Sequence, residues 1–186
     1  FADGRQTRVA WLGHSTMLIR IGGKTILTDP VFSDAIFPIR LLAPKAFTYS
    51  KPIEIADLPD VDVVLISHDH YDHLDYASIH ALSARNPMFV APLGVGSHLR
   101  KWGVPEDRII ERDWWQETAI GGLRLTATPA QHFSGRGLMD RSATLWASWV
   151  VDGNGERLFF GGDSGYFTGF KDIGERFGPF DLTILE

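Results

Sequence analysis

The sequence predicts an α/β domain in which sheets are covered by helices. Three kinds of observation carry that expectation: an opening β-meander, a β-branched run that feeds a helix and then a further strand, and hairpin signals later in the chain. The meander is Val9 to Leu12, Thr16 to Ile21 and Lys24 to Thr28, with Gly22-Gly23 as the two-residue turn between the last two. Residues 31–53 are Pro-rich and apolar without a clean period, carry Arg40, Lys45 and Lys51, and read as a lid-like or packing arm. Val61 to Ile66 is too short and too β-branched for a helix and suits a strand buried on both faces. Asp75 can cap a helix over Tyr76 to Ala84, and Met88 to Ala91 starts another strand, completing a βαβ step. A short strand around Ile109 follows. Glu117 to Ile120 and Leu123 to Thr128 flank Gly121-Gly122, and Leu145 to Val151 and Arg157 to Phe160 flank Asp152 to Gly155, giving two more hairpins. Phe170 to Phe177 reads as a short helix and Asp181 to Glu186 as a strand that has barely begun, so the chain is expected to continue beyond Glu186.

Composition narrows the function classes. With 186 residues, 44% of them apolar, the chain holds enough for one domain over 1–186 and excludes disorder and collagen-like repeats. No run approaches the ~18 apolar residues that a membrane-spanning helix needs, so the expected location is the cytoplasm or the surface of a membrane. The net charge of −5, from 18 Lys and Arg against 23 Asp and Glu, is scattered and argues against a nucleic-acid partner. With no cysteine, any metal must be held by His, Asp or Glu.

One cluster stands out. His68-x-His70-x-Asp72-His73 places three imidazoles and a carboxylate in six residues just beyond the buried strand. In an extended turn the i and i+2 histidines can aim at one cation while the Asp and the adjacent His address a second. Four ligand-type groups at this spacing outweigh the reading as solvated loop histidines. His132, after the strand ending at Thr128, and Asp163, after Leu158-Phe159-Phe160 and between glycines, would also sit at loop mouths.

Taken together, His-x-His-x-Asp-His, a later His and then an Asp after a strand resemble the metallo-β-lactamase superfamily. The surrounding words resemble one branch of it, the N-acylphosphatidylethanolamine-hydrolysing phospholipase D family. They include Trp11-Leu12-Gly13-His14, Leu27-Thr28-Asp29-Pro30, Leu65-Ile66-Ser67-His68, Asp113-Trp114-Trp115, Gln131-His132, Leu138-Met139-Asp140, Gly162-Asp163, Gly165-Tyr166 and Arg176-Phe177-Gly178-Pro179-Phe180-Asp181-Leu182.

The resemblance implies a four-layer αβ/βα sandwich, truncated here in its second half. It implies two Zn2+ ions, with Mn2+ or Fe2+ as other divalent options. His68, His70 and His132 would hold one ion, Asp72 and His73 the second, and Asp163 would bridge them. The family's last His ligand lies in a segment downstream of Glu186. The implied reaction is hydrolysis of a phosphodiester, an N-acyl phosphatidylethanolamine, by hydroxide formed from water between the cations, with Asp72 or Asp163 steering the proton. A lactonase of the ascorbate-6-phosphate type and a metal-holding module without turnover are the rivals.

Around these ligands, Asp29 is read as an acceptor that orients a ligating imidazole or as a turn residue, and His14 as a turn residue or a pocket residue. Tyr71 could touch a substrate oxygen or pack, and Gln131 could donate to substrate or pin its loop. Trp114, Trp115, Phe133 and Tyr166 could wall an entrance for acyl chains or pack in the core. The arm at 31–53 could rest on a lipid surface.

Overall fold

Gly22 and Gly23 take φ values of 58° and 77°, the left-handed pair that a tight hairpin needs and that glycine adopts without strain. They join β2 (Thr16–Ile21) to β3 (Lys24–Thr28), and β1 (Arg8–Gly13) pairs antiparallel to β2 on the other side. The computed structural model describes residues 6–33 and 53–185. Most of the arm expected at 31–53 therefore lies outside the described residues.

β4 (Val63–Leu65) joins β3 in parallel, and β5 (Met88–Pro92) and β6 (Ile109–Arg112) extend the sheet in the same direction, giving six strands in the order β1-β2-β3-β4-β5-β6. Between β4 and β5 runs α1 (Tyr76–Ser83), whose cap Asp75 accepts from the Ser78 amide as expected from the sequence. α2 (Gly96–Lys101) follows β5 and was not expected. Its first residue is glycine and no side chain caps it, so it carries no start signal; the Gly94 and Gly96 amides donate to Glu111 instead.

The second sheet has five strands in the order β11-β10-β9-β8-β7, where β7 is Glu117–Ile120, β8 Leu123–Thr128, β9 Ser148–Gly153, β10 Glu156–Phe160 and β11 Leu182–Ile184. β7 to β10 are antiparallel and β11 lies parallel to β10. The strand expected from Leu145 begins three residues later. The Leu145 and Ala147 amides leave the ladder to bond Leu93 O and Ser67 O across the domain.

Packing then fixes the layers. Ile19, Ile26, Val63, Leu65 and Val90 from the first sheet meet Leu125, Trp149, Val151, Leu158 and Phe160 from the second, all at most 2% exposed. The opposite face of the first sheet packs Val64, Ile66 and Phe89 on Ile79, Leu82 and Leu99 of α1 and α2. Val150 and Phe159, on the outer face of the second sheet, cover Ile173 of α3 (Gly169–Phe177). Helices, sheet, sheet, helix is the four-layer αβ/βα arrangement. Trp149 ties the two sheets with an Nε1–H bond of 2.9 Å to Ile66 O, directly before the histidine cluster. Among the described residues, no helix is long and apolar enough to cross a membrane.

Candidate metal centre

Strand direction alone gathers the site. β1, β3 and β4 run the same way, so the loops that follow them open at one edge of the first sheet and carry His14, Asp29 and His68 to His73 respectively. β8 and β10 are both antiparallel to β9, so their ends share an edge of the second sheet and deliver His132 and Asp163. Gly162 lets the two edges close: its φ is 55°, and a Cβ there would stand 2.6 Å from Ser67 Cβ.

Two groups of donors result, each with its ligand atoms within 4.8 Å of one another: His68, His70, His132 and Asp163; and His14, Asp72 and His73. In the first, His68 Nε2 lies 2.8 Å from His70 Nδ1, and His132 Nε2 lies 3.2 Å from both. In the second, His14 Nε2 lies 3.2 Å from His73 Nε2 and 3.2 Å from Asp72 Oδ2. Asp163 stands between them. Its Oδ1 is 3.1 Å from His73 Nε2, while its Oδ2 is 3.6 Å from His132 Nε2 and 4.0 Å from His68 Nε2.

This donor set fits cations. Three imidazole nitrogens facing one another at 2.8–3.2 Å present more lone pairs than protons that could bridge them. Three nitrogen–metal bonds of about 2.0–2.1 Å at tetrahedral angles subtend about 3.3 Å, close to the triangle present here. All donors are nitrogen or carboxylate oxygen, a set suited to zinc, manganese or iron.

Behind the histidines, one buried carboxylate sets two tautomers. Asp29 Oδ1 accepts the Ser67 amide at 2.7 Å, and its Oδ2 accepts the Ser67 hydroxyl at 2.6 Å and faces His73 Nδ1 at 2.9 Å. With its single proton given to Asp29, Ser67 Oγ must accept from His68 Nδ1, 2.9 Å away. Both rings therefore carry hydrogen on Nδ1 and turn Nε2 toward the clusters, the arrangement that orients metal-ligating imidazoles. Asp29 pays for this with a left-handed φ of 36°, and its own pKa is raised by burial, partly offset by His73 and Ser67.

The electrostatics differ between the groups. Burial, reinforced by the neighbouring imidazoles, drives His68 down to about 2, so it is neutral. Burial likewise lowers His70 and His132. At His73 burial also opposes charge, but hydrogen bonds to Asp163 and Asp29 outweigh it and raise the pKa to about 10. At Asp72 the desolvation cost is overcome by His14 and His73, leaving the carboxyl at about 2.

The six residues expected to ligate, His68, His70, Asp72, His73, His132 and Asp163, are thus brought together. The other expected residues make the following contacts. Trp114 packs toward the inter-sheet core and donates from Nε1 to Trp146 O, while Trp115 stacks on Phe177 beneath Arg176. Tyr71 donates its hydroxyl to Arg136 O and lies under that guanidinium. Gln131 ties its loop to Ser164 and Gly165 through its backbone. Tyr166 is 91% exposed and Phe133 packs on His70 and His132. Sequence reasoning passed over Arg136, which donates to Asp69 O and Leu74 O and so clamps the motif loop; a loop arginine gives no local signal of that role.

A family model described as a beta-lactamase superfamily domain matches residues 24–186. The chain is 50% identical over 184 residues to the uncharacterized protein Rv0906 of Mycobacterium tuberculosis, covering 98% of this chain and 49% of that one. It is 37% identical over 185 residues to N-acyl-phosphatidylethanolamine-hydrolyzing phospholipase D 1 of Caenorhabditis elegans, covering 94% and 52% respectively. The chain thus spans about half the length of the curated relatives it matches. Among solved structures, CmlA, a diiron beta-hydroxylase from Streptomyces venezuelae, superposes with a TM-score of 0.71 over 97% of this chain and 34% of its own, at 22% identity, which speaks to the fold.

Proposed function

The chain belongs to the beta-lactamase superfamily, and from that premise we propose that it carries most of the metal centre of a dinuclear zinc hydrolase that cleaves the phosphodiester of an N-acyl phosphatidylethanolamine, releasing the N-acyl ethanolamine headgroup. The observation that carries the two-cation reading is Asp163, with one carboxylate oxygen facing each donor group. When bound, the cations supply Lewis acidity: water activated near neutral pH, and stabilisation of charge that builds on the phosphoryl oxygens.

The chain's own residues do the rest. The Asp29–Ser67 pair holds the Nε2 atoms of His68 and His73 in register. Asp72, held ionised by His14 and His73, and Asp163, with Oδ1 3.1 Å from His73 Nε2, would take the proton lost by the attacking water and return it to the leaving alkoxide. The lipid assignment is supported by the printed name of the C. elegans relative and by the loop after His132. There Leu138 and Met139 are 101% and 96% exposed, apolar surface that an acyl chain or a bilayer would cover.

The test is made on the full-length protein. Two zinc equivalents by mass spectrometry, with release of N-acyl ethanolamine from N-acyl phospholipid vesicles, are expected. Turnover of a sugar lactone with none of the vesicle would move the assignment to a lactonase. Two bound cations with turnover of neither substrate would make it a binding module.

A further inference from the structure

We propose that His14 is itself a ligand of the second cation position, entering from the loop after the first sheet's edge strand to meet Asp72, His73 and Asp163. The proposal rests on the two-cation reading above and names a residue that reading does not require. Three independent features point to it.

The first is geometry. His14 Nε2 is equidistant, at 3.2 Å, from Asp72 Oδ2 and His73 Nε2. Those are separations between neighbouring ligands around a common ion, and they put the His14 nitrogen on the same side of His73 as Asp163 Oδ1, which is 3.1 Å from that same Nε2. A residue that merely oriented a ligand would face the ring's far nitrogen, as Asp29 does at Nδ1. His14 faces the ligating nitrogen.

The second is the backbone. His14 takes φ 43°, in the left-handed region that few non-glycine residues visit, directly after Gly13 at φ 133°. Its carbonyl is pinned by the Trp11 indole N–H at 2.7 Å. Glycine would hold this turn at lower cost, yet the position carries an imidazole that reaches Asp72 and His73.

The third is access. The His73 side chain is wholly buried, whereas that of His14 is 47% exposed. Among the described residues, His14 thus forms the more open side of the second position and His73 the buried side. A cation there would have nitrogen from His14 and His73 and oxygen from Asp72 and Asp163, four donors from this chain alone.

The experiment uses full-length protein carrying His14→Asn, since asparagine tolerates the left-handed backbone but cannot reach with an imidazole. Metal-free melting midpoints are compared first. Should the Asn variant melt earlier than the parent, His14→Gly, which adopts that φ without strain, takes its place. Zinc content after dialysis and zinc affinity by chelator competition are then read. The parent should hold two equivalents, and the variant should keep the first while binding the second at least ~10-fold more weakly. Cobalt-loaded protein should lose one imidazole in X-ray absorption on substitution. A variant with two equivalents, unchanged second affinity and an unchanged cobalt spectrum overturns the ligand role of His14 alone. A parent that holds fewer than two equivalents overturns the two-cation reading and His14's place in it together.

Discussion

Asp29 shows how much a single buried side chain can decide. It has no solvent exposure, and it satisfies the Ser67 amide, the Ser67 hydroxyl and His73 Nδ1 at once. Asp29→Ala would leave all three without an acceptor, at a cost of about 2–4 kcal/mol in denaturant unfolding, and would lower zinc affinity about 10–100-fold by freeing both ring tautomers. Zinc competition on refolded protein separates the two effects. His73 gives the pH dependence. Its pKa is raised to about 10 in the metal-free fold, so its proton stabilises that fold below about 6.5 and the contribution fades as pH rises from there to about 10. A cation at the second position must displace this proton, so apparent affinity there should rise with pH through the same window. The first position, where His68 is already neutral, should show far less dependence. Calorimetry in two buffers of different ionisation enthalpy should register at least one proton released with the second equivalent near pH 7.5, because His73 and, through its hydrogen bond to Asp72, His14 both hold protons more tightly than a free imidazole, and close to none with the first.

At the scale of elements, the site depends on loops from different sheets passing almost in contact. Gly162 is the point of closest approach, and Gly162→Ala would set a methyl 2.6 Å from Ser67 Cβ while straining a φ of 55°. A loss of about 1–3 kcal/mol is expected, together with weakened binding at both positions because Asp163 is the next residue; denaturation and metal titration of the variant check each. The same elements explain what was legible in the sequence. His68, His70, Asp72 and His73 could be named from their spacing just beyond a buried strand, whereas His132 and Asp163, each a weak signal after its own strand, joined them through the resemblance to the metallo-β-lactamase superfamily. Asp29 could be read as an orienting acceptor or as a turn residue, and its strand-end position did not separate the two. His14 was not placed beside Asp72, since that proximity exists only once β1 has returned alongside β2, and a Gly-His-Ser turn carries no trace of it. Trp114 and Trp115 look alike in sequence, yet the left-handed φ of 69° at Trp115 turns it onto Phe177 while its neighbour packs toward the inter-sheet core. α2 escaped notice because short, uncapped helices are decided by the surface they cover.

Across the whole molecule, the donors of the first cluster come from both sheets: His68 and His70 from the first, His132 and Asp163 from the second. A cation there joins the sheets outside their shared apolar core, as Trp149 does within it. Chelation should therefore lower the unfolding midpoint without erasing the fold. At free zinc about 100-fold above the dissociation constant, the stabilisation lost is about 2.7 kcal/mol per site. Scanning calorimetry with and without chelator measures it, and amide exchange should then quicken first in the loops after β4 and β10.

The left-handed turn at His14 also sets two evolutionary pressures at odds. Glycine at that position would relieve strain worth about 1 kcal/mol or more. A laboratory lineage bred only for heat tolerance would drift toward it, while one grown under zinc scarcity would retain the imidazole.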